Sequence, residues 1–155
     1  MKNEKKAMKL MWVLAVLPLL LTLVVFKRLP DQVPMHWNIH GEVDSWYPKF
    51  PGAFLLPLFG VGITAIISIL PKIDPKRENY EKFRSQYTII RLILVAFFGI
   101  MQVMIIAISL GTTFISVDTI IKLLIGLLFI VLGNLMPKIK HNYFIGIRTP
   151  WTIAK

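Results

Sequence analysis

The sequence contains no cysteine among its 155 residues. That excludes disulfides, thiolate nucleophiles and thiolate metal centres, and it leaves the redox compartment unmarked. Acidic residues are scarce, with eight Asp and Glu against eighteen Lys and Arg and a formal net charge of +10. None of these acids lies inside a long apolar run; Asp118 stands at the edge of one. Ion-coupled carriers place ionisable groups at membrane depth, so the absence counts against that class. No nucleophile–base spacing and no cofactor motif is present, so the reading is non-enzymatic and without a cofactor. What fills the chain instead is apolar: 55% of residues are hydrophobic and the mean hydropathy is +0.66. Those values indicate a polytopic membrane protein. The basic residues are spread over several short segments and not gathered on one face, which points to lipid and not to direct contact with nucleic acid.

Four apolar runs predict four spanning helices: Leu10–Phe26, Pro51–Leu70, Thr88–Leu110 and Thr119–Met136. The first competes with a signal peptide, because a basic start and an apolar core suit both. Its length approaches the roughly 20 residues a span needs, and it ends in Phe26-Lys27-Arg28 without a small-x-small cleavage site, so it is read as retained. Pro18 lies inside it and is expected to kink the helix. In the second run Gly60, Thr64 and Ser68 recur every four residues, a spacing that lets another helix approach. Gly126 and Gly133, seven residues apart, likewise put two small residues on one face of the fourth. Arg91, near the start of the third run, is expected to snorkel to the interface, and Gln102, deeper, to hydrogen-bond another helix. Lys122 falls near the opposite interface. The connector Lys72–Tyr87 reads as a solvated segment against the headgroups, with Glu78 and Lys82 at the spacing of a short amphipathic helix.

Charge orients the chain. The segments before span one, between spans two and three, and after span four carry four, five and four Lys or Arg. The loop after span one carries three, balanced by Asp31, Glu42 and Asp44, and the turn Gly111–Asp118 carries none. The positive-inside rule then predicts an all-α protein with four transmembrane helices, both termini in the cytoplasm, and one larger extracytoplasmic loop between helices 1 and 2. Three regions follow: 1–70 with the outer loop 29–50, the connector 71–87, and 88–155.

Two polar motifs stand out. The loop Leu29–Phe50 holds His36 and His40, Trp37 and Trp46, and the prolines Pro30, Pro34 and Pro48, with Pro51 just beyond. His36, His40 and Asp44 fall at i, i+4 and i+8, which on a helix would stack three metal ligands. Pro34 and Gly41 argue against a helix there, so no metal site is assigned. The alternative is a compact loop anchored at the interface by Trp37, Trp46 and Tyr47, with histidines that titrate near neutral pH. The second motif is the tail, in which Gly146 and Pro150 bracket Ile147-Arg148-Thr149 ahead of Trp151. That pattern reads as a tight turn presenting an arginine to a lipid headgroup, a carboxylate or a partner protein.

Both motifs carry a resemblance. Pro30–Lys49, PDQVPMHWNIHGEVDSWYPK, resembles a small bacterial membrane domain with a P-x-H-W-N-x-x-G-x-x-D core. Gly133–Thr152, GNLMPKIKHNYFIGIRTPWT, resembles the signature of the SdpI family of membrane immunity proteins through Asn134, Pro137, Asn142, Gly146, Arg148, Thr149, Pro150 and Trp151. The resemblance implies a protein of the bacterial plasma membrane that protects its cell against a secreted, membrane-active peptide toxin. It further implies that a small transcriptional repressor is held at the membrane. Longer members of that family continue past the T-P-W motif into two more spans, so the expectation is a short member or a shortened product. The candidate binding residues of the outer loop are Pro34, His36, Trp37, Asn38, Gly41, Asp44 and Lys49. The alternative reading is a small membrane transporter or transporter subunit, which rests on Gln102 and the small-residue faces.

Overall fold

The computed structural model describes residues 2–112 and 116–146. Four helices dominate: α1 (Lys2–Val25), α2 (Lys49–Ile73), α3 (Arg84–Ser109) and α4 (Val117–Leu135). With their short 3-10 extensions they form four segments long and apolar enough to cross a membrane, Glu4–Arg28, Lys49–Ile73, Arg77–Ser109 and Val117–Lys138. The helices overrun the apolar runs at most ends. Hydropathy marks where lipid begins, whereas backbone hydrogen bonding continues the helix into the headgroup layer.

The segment between α1 and α2 is not the irregular loop that an all-α reading expects. It folds as an antiparallel hairpin, β1 (Gln32–Trp37) and β2 (Val43–Pro48), with register shifts on either side of His36. Gly41 and Asp118 are in contact at one end of the molecule, while Glu4 of α1 reaches Arg84 of α3 at the other. The two ends are called the hairpin end and the connector end.

Helices α1, α2 and α3 form the bundle proper, with Met11, Ala15, Ile67 and Val95 at its centre. Lipid tails are as apolar as these side chains, so burial alone drives little association; close approach and polar links matter more. The stripe on α2 supplies the approach. A β-carbon on Gly60 would sit 3.4 Å from Phe98 Cβ of α3, and Thr64 is fully buried. Ser68 Oγ lies 3.8 Å from Met8 Sδ of α1. Helix α1 stays continuous through Pro18, and a β-carbon on Gly99 of α3 would meet the Pro18 ring at 3.4 Å. Helix α4 is different. It packs on α3 and buries only Val117 and Leu135, and nothing described lies within 4 Å of a β-carbon built on Gly126 or Gly133. Those two glycines, expected to mark a packed face, line none among the described residues.

Gln102 provides the polar link, as its depth suggested. Its Nε2 donates to Thr22 Oγ1 at 2.9 Å and to the Ala53 carbonyl at 3.0 Å, joining α3 to α1 and α2. Thr22 Oγ1 in turn donates to the Pro18 carbonyl at 2.8 Å. Interhelical hydrogen bonds in membranes are worth about 0.6 kcal/mol on average and at most about 1.7. Gln102→Leu is therefore expected to destabilise the detergent-solubilised protein by about 1 kcal/mol in an SDS-unfolding titration. An unchanged midpoint would mean that packing alone holds the three helices together.

Candidate functional site

At the hairpin end, Asn38 builds the turn. Its Oδ1 accepts from the amides of His40 at 2.9 Å and Glu42 at 3.0 Å, and its Nδ2 donates to Glu42 Oε2 at 2.9 Å. The Gly41 amide returns to the Asn38 carbonyl at 3.0 Å. An asparagine side chain that mimics a turn, followed by a residue at positive φ, suits such a tip. Gly41 has φ +79°, and a β-carbon there would stand 2.8 Å from Asp118 Cβ. The tip thus rests on the first turn of α4, where Asp118 also pairs with Lys122 at 2.7 Å.

The base of the hairpin is seated on the bundle. Val33 and Pro34 are fully buried, and a β-carbon on Gly52 would collide with Val33 Cγ2 at 2.8 Å. Lys49 donates through Nζ to the Leu29 carbonyl at 2.7 Å and lies 5.1 Å from the Phe26 ring centroid. His36 Nδ1 and Asp44 Oδ1 are 2.5 Å apart across the strands. His40 lies in the tip, and no group of three or more metal-ligating side chains forms among the described residues. The i, i+4, i+8 spacing is therefore folded over a hairpin and not stacked along a helix. Trp46 and Tyr47 are about half exposed, as interface anchors would be, whereas Trp37 turns inward and its Nε1 is buried with no acceptor among the described residues. A cavity of about 470 Å³ opens beside it, lined by Asn38, Ile39 and Gly41 of the tip and Asp118, Ile121 and Lys122 of α4.

The connector end holds a feature that the sequence reading missed. Asp74, 2% exposed, accepts from the Lys76 amide at 2.7 Å, from Tyr80 Oη at 3.0 Å and from the Tyr143 amide at 2.9 Å. It clasps connector and tail together. Asn79 adds a bond from Nδ2 to the His141 carbonyl at 2.8 Å. The Asp74-Pro75 pair was the available signal, because Asp before Pro favours turn initiation. Asn142, a predicted motif residue, is 4% exposed. Its Nδ2 donates to the Lys140 and Ile145 carbonyls, and its Oδ1 accepts from the Phe144 and Ile145 amides, all within 2.9 Å. Gly146 has φ +118° and abuts Ile139. Pro137 lies in a 3-10 turn, Met136–Lys138, and Asn134 bonds back to the Ile130 carbonyl at 2.8 Å. Arg148, Thr149, Pro150 and Trp151 lie outside the described residues.

The connector is more than a solvated strap. Residues Arg77–Phe83 form a 3-10 segment that buries Tyr80 and Phe83 with Tyr87, Ile139 and Ile145. Its i, i+3 spacing explains why Lys82 meets Asn79 and Arg84 meets Glu81, in place of the Glu78–Lys82 pair that an α-helix would favour. Arg91 also departs from expectation. It does not snorkel to the surface but is 7% exposed, with its guanidinium carbon 4.7 Å from the Tyr87 ring centroid.

Comparison with known proteins places these features. A domain of unknown function, DUF1648, matches residues 13–61, which take in the second half of α1, the whole hairpin and the first half of α2. The chain is 26% identical over 141 residues to the immunity protein SdpI of Bacillus subtilis (strain 168). That alignment takes in 91% of this chain but 65% of the relative, so the chain spans a little under two thirds of the length of the curated protein it matches. No solved structure matches it.

Proposed function

We propose that this chain is an immunity protein of the bacterial plasma membrane, which protects its cell from a secreted, membrane-active peptide toxin. The observation that carries the reading is the likeness to an immunity protein along 91% of the chain. Four segments long and apolar enough to cross a membrane are consistent with it. The charge asymmetry supports an orientation with the hairpin end outside and the connector end in the cytoplasm.

In this reading the hairpin meets the peptide. The tip presents Ile39, 83% exposed, beside a cavity that Trp37 lines, and the buried Trp37 indole N–H has no acceptor among the described residues. A peptide backbone is rich in carbonyl acceptors, and an orphaned buried donor gains the full value of its bond when one arrives. The tail, whose Tyr143 amide the Asp74 clasp holds, is then the segment that would retain a small repressor protein. A transporter reading gains nothing from Gln102, whose amide is already donated to α1 and α2.

Expression in a toxin-sensitive relative that lacks its own immunity gene tests the proposal. The expected result is a rightward shift of the killing curve by tenfold or more in dose. Trp37→Ala, at equal membrane level, is expected to return most of that shift. A curve that overlays the empty vector at good expression would reject immunity for this chain, and full protection by Trp37→Ala would remove the cavity from the mechanism.

A further inference from the structure

We infer that the cavity at the connector end is an anion site, and that Arg91 is its principal donor to a phosphoryl group. The cavity measures about 680 Å³ and lies between the first turns of α1, the end of α2, and the 3-10 segment leading into α3. Arg91 lines it, two turns into α3. Its Nη2 donates to Thr88 Oγ1 at 3.2 Å, and its Nε is buried without a partner among the described residues. The Tyr87 ring covers one face of the guanidinium, which leaves the in-plane N–H edge as its means of recognition.

The charge balance around Arg91 is the second observation. Arg84, on the same wall, is held by Glu4 at 3.0 Å and by Glu81, and Glu4 also acts on Arg91 through space without forming an ion pair with it. No described carboxylate comes within ion-pair distance of Arg91. The lining as a whole carries Lys72, Arg77, Arg84 and Arg91 against Glu4, Glu78 and Glu81, an excess of one positive charge. A guanidinium buried at the edge of a membrane is costly unless an anion compensates it. Its planar fork matches phosphate oxygens in two parallel bonds. The cavity lies where α3 begins, at headgroup level for a helix that crosses a bilayer, so acidic phospholipid is one source of that group and free phosphate is the other.

Purified full-length protein in a neutral detergent tests the inference by native mass spectrometry. The probes are dioleoyl phosphatidylglycerol, dioleoylglycerol as its phosphate-free counterpart, and inorganic phosphate added alone or in competition. Retention of phosphatidylglycerol over dioleoylglycerol assigns the site to a lipid headgroup. Phosphate binding without a lipid preference assigns it to a free anion. In either case Arg91→Gln is expected to weaken binding roughly tenfold to a hundredfold, the value of a charge-assisted hydrogen bond. Arg91→Lys, which keeps the charge and loses the fork, is expected to fall between. Arg77→Gln supplies a variant outside the bundle, expected to weaken binding severalfold if Arg91→Gln fails to fold. Lys27→Gln, an exposed lysine at the far end, is expected to change nothing. The inference is overturned if neither probe binds above dioleoylglycerol, or if binding survives intact in both Arg91→Gln and Arg77→Gln. Because the readout is binding and not survival, its failure leaves the immunity proposal standing, and the converse holds.

Discussion

Gly41→Val is expected to lift the hairpin off α4 and to destabilise the protein by roughly 2–5 kcal/mol, combining a left-handed-backbone penalty with overpacking. The two contributions are independent. At φ +79° a β-branched side chain is strained whatever the space around it. Space is also missing, because the new β-carbon would stand 2.8 Å from Asp118 Cβ, an atom that moves only with the backbone of α4. Asn38 resists any local escape, since its side chain fixes the amides on both sides of Gly41. The cysteine-free sequence offers a clean measurement: a single Ile121→Cys reports access to the cavity beneath the tip through its rate of labelling by a water-soluble maleimide. Labelling is expected to accelerate in the Gly41→Val background, and protection against toxin to fall with it. Gly62→Ala is the matched control, with open space at its β-carbon and a helical backbone. It is expected to be neutral or slightly stabilising. Equal labelling rates with and without Gly41→Val would show that the tip does not depend on its seat.

That seat was hidden in the sequence for a definite reason. The long helices announce themselves because a membrane crossing demands an extended apolar run, and Leu10–Phe26 and Thr88–Leu110 each supply one. A half-buried strand announces itself by alternation, and β1 does not alternate: Val33 and Pro34 are buried side by side, and the register shifts at His36. Proline at 34 further suppresses a strand reading, although a bulged, two-stranded edge tolerates it. His36, His40 and Asp44 stood out for their i, i+4, i+8 spacing, but the contact that forms is between His36 and Asp44 alone, across strands and not along a helix. Within the bundle the polar signals were sound where only one environment suits the residue. Gln102 and the stripe Gly60, Thr64, Ser68 lie against other helices, as spacing and depth required. Arg91 misled because one arginine near a helix end has two solutions, reaching for the surface or lining a polar cavity, and composition does not distinguish them. Asp74 was lost among the charges of the connector. What singles it out is the set of donors converging on it, one of them from residue 143, and that convergence exists only once the chain has folded.

Asp74→Ala is expected to release the tail from the connector, at a cost of about 1–3 kcal/mol, the penalty for taking the acceptor from one buried donor. Three donors lose a partner at once: the Lys76 amide, the Tyr80 hydroxyl and the Tyr143 amide. They do not fail alike. Lys76 is partly exposed, so water replaces its bond, whereas Tyr80 is buried among Phe83 and Tyr87, where bulk water does not replace the lost carboxylate unless the ring moves. Movement of Tyr80 would disturb the aromatic cluster against which Ile139 and Ile145 pack, and so loosen the tail a second time. Asp74→Asn separates charge from geometry, since its one remaining acceptor oxygen keeps part of the clasp; it is expected to recover about half of the loss. Maleimide labelling of Phe144→Cys follows tail release directly, because Phe144 lies within the loop that Asn142 organises. Faster labelling in Asp74→Ala, with Asp74→Asn between it and the parent, is the expected order. If toxin protection survives Asp74→Ala while the tail is free, immunity resides in the hairpin end and the bundle, and the clasp serves only the connector end. If protection falls in step with labelling, the two ends of the molecule act as one unit, coupled through α3, which touches both the hairpin and the connector.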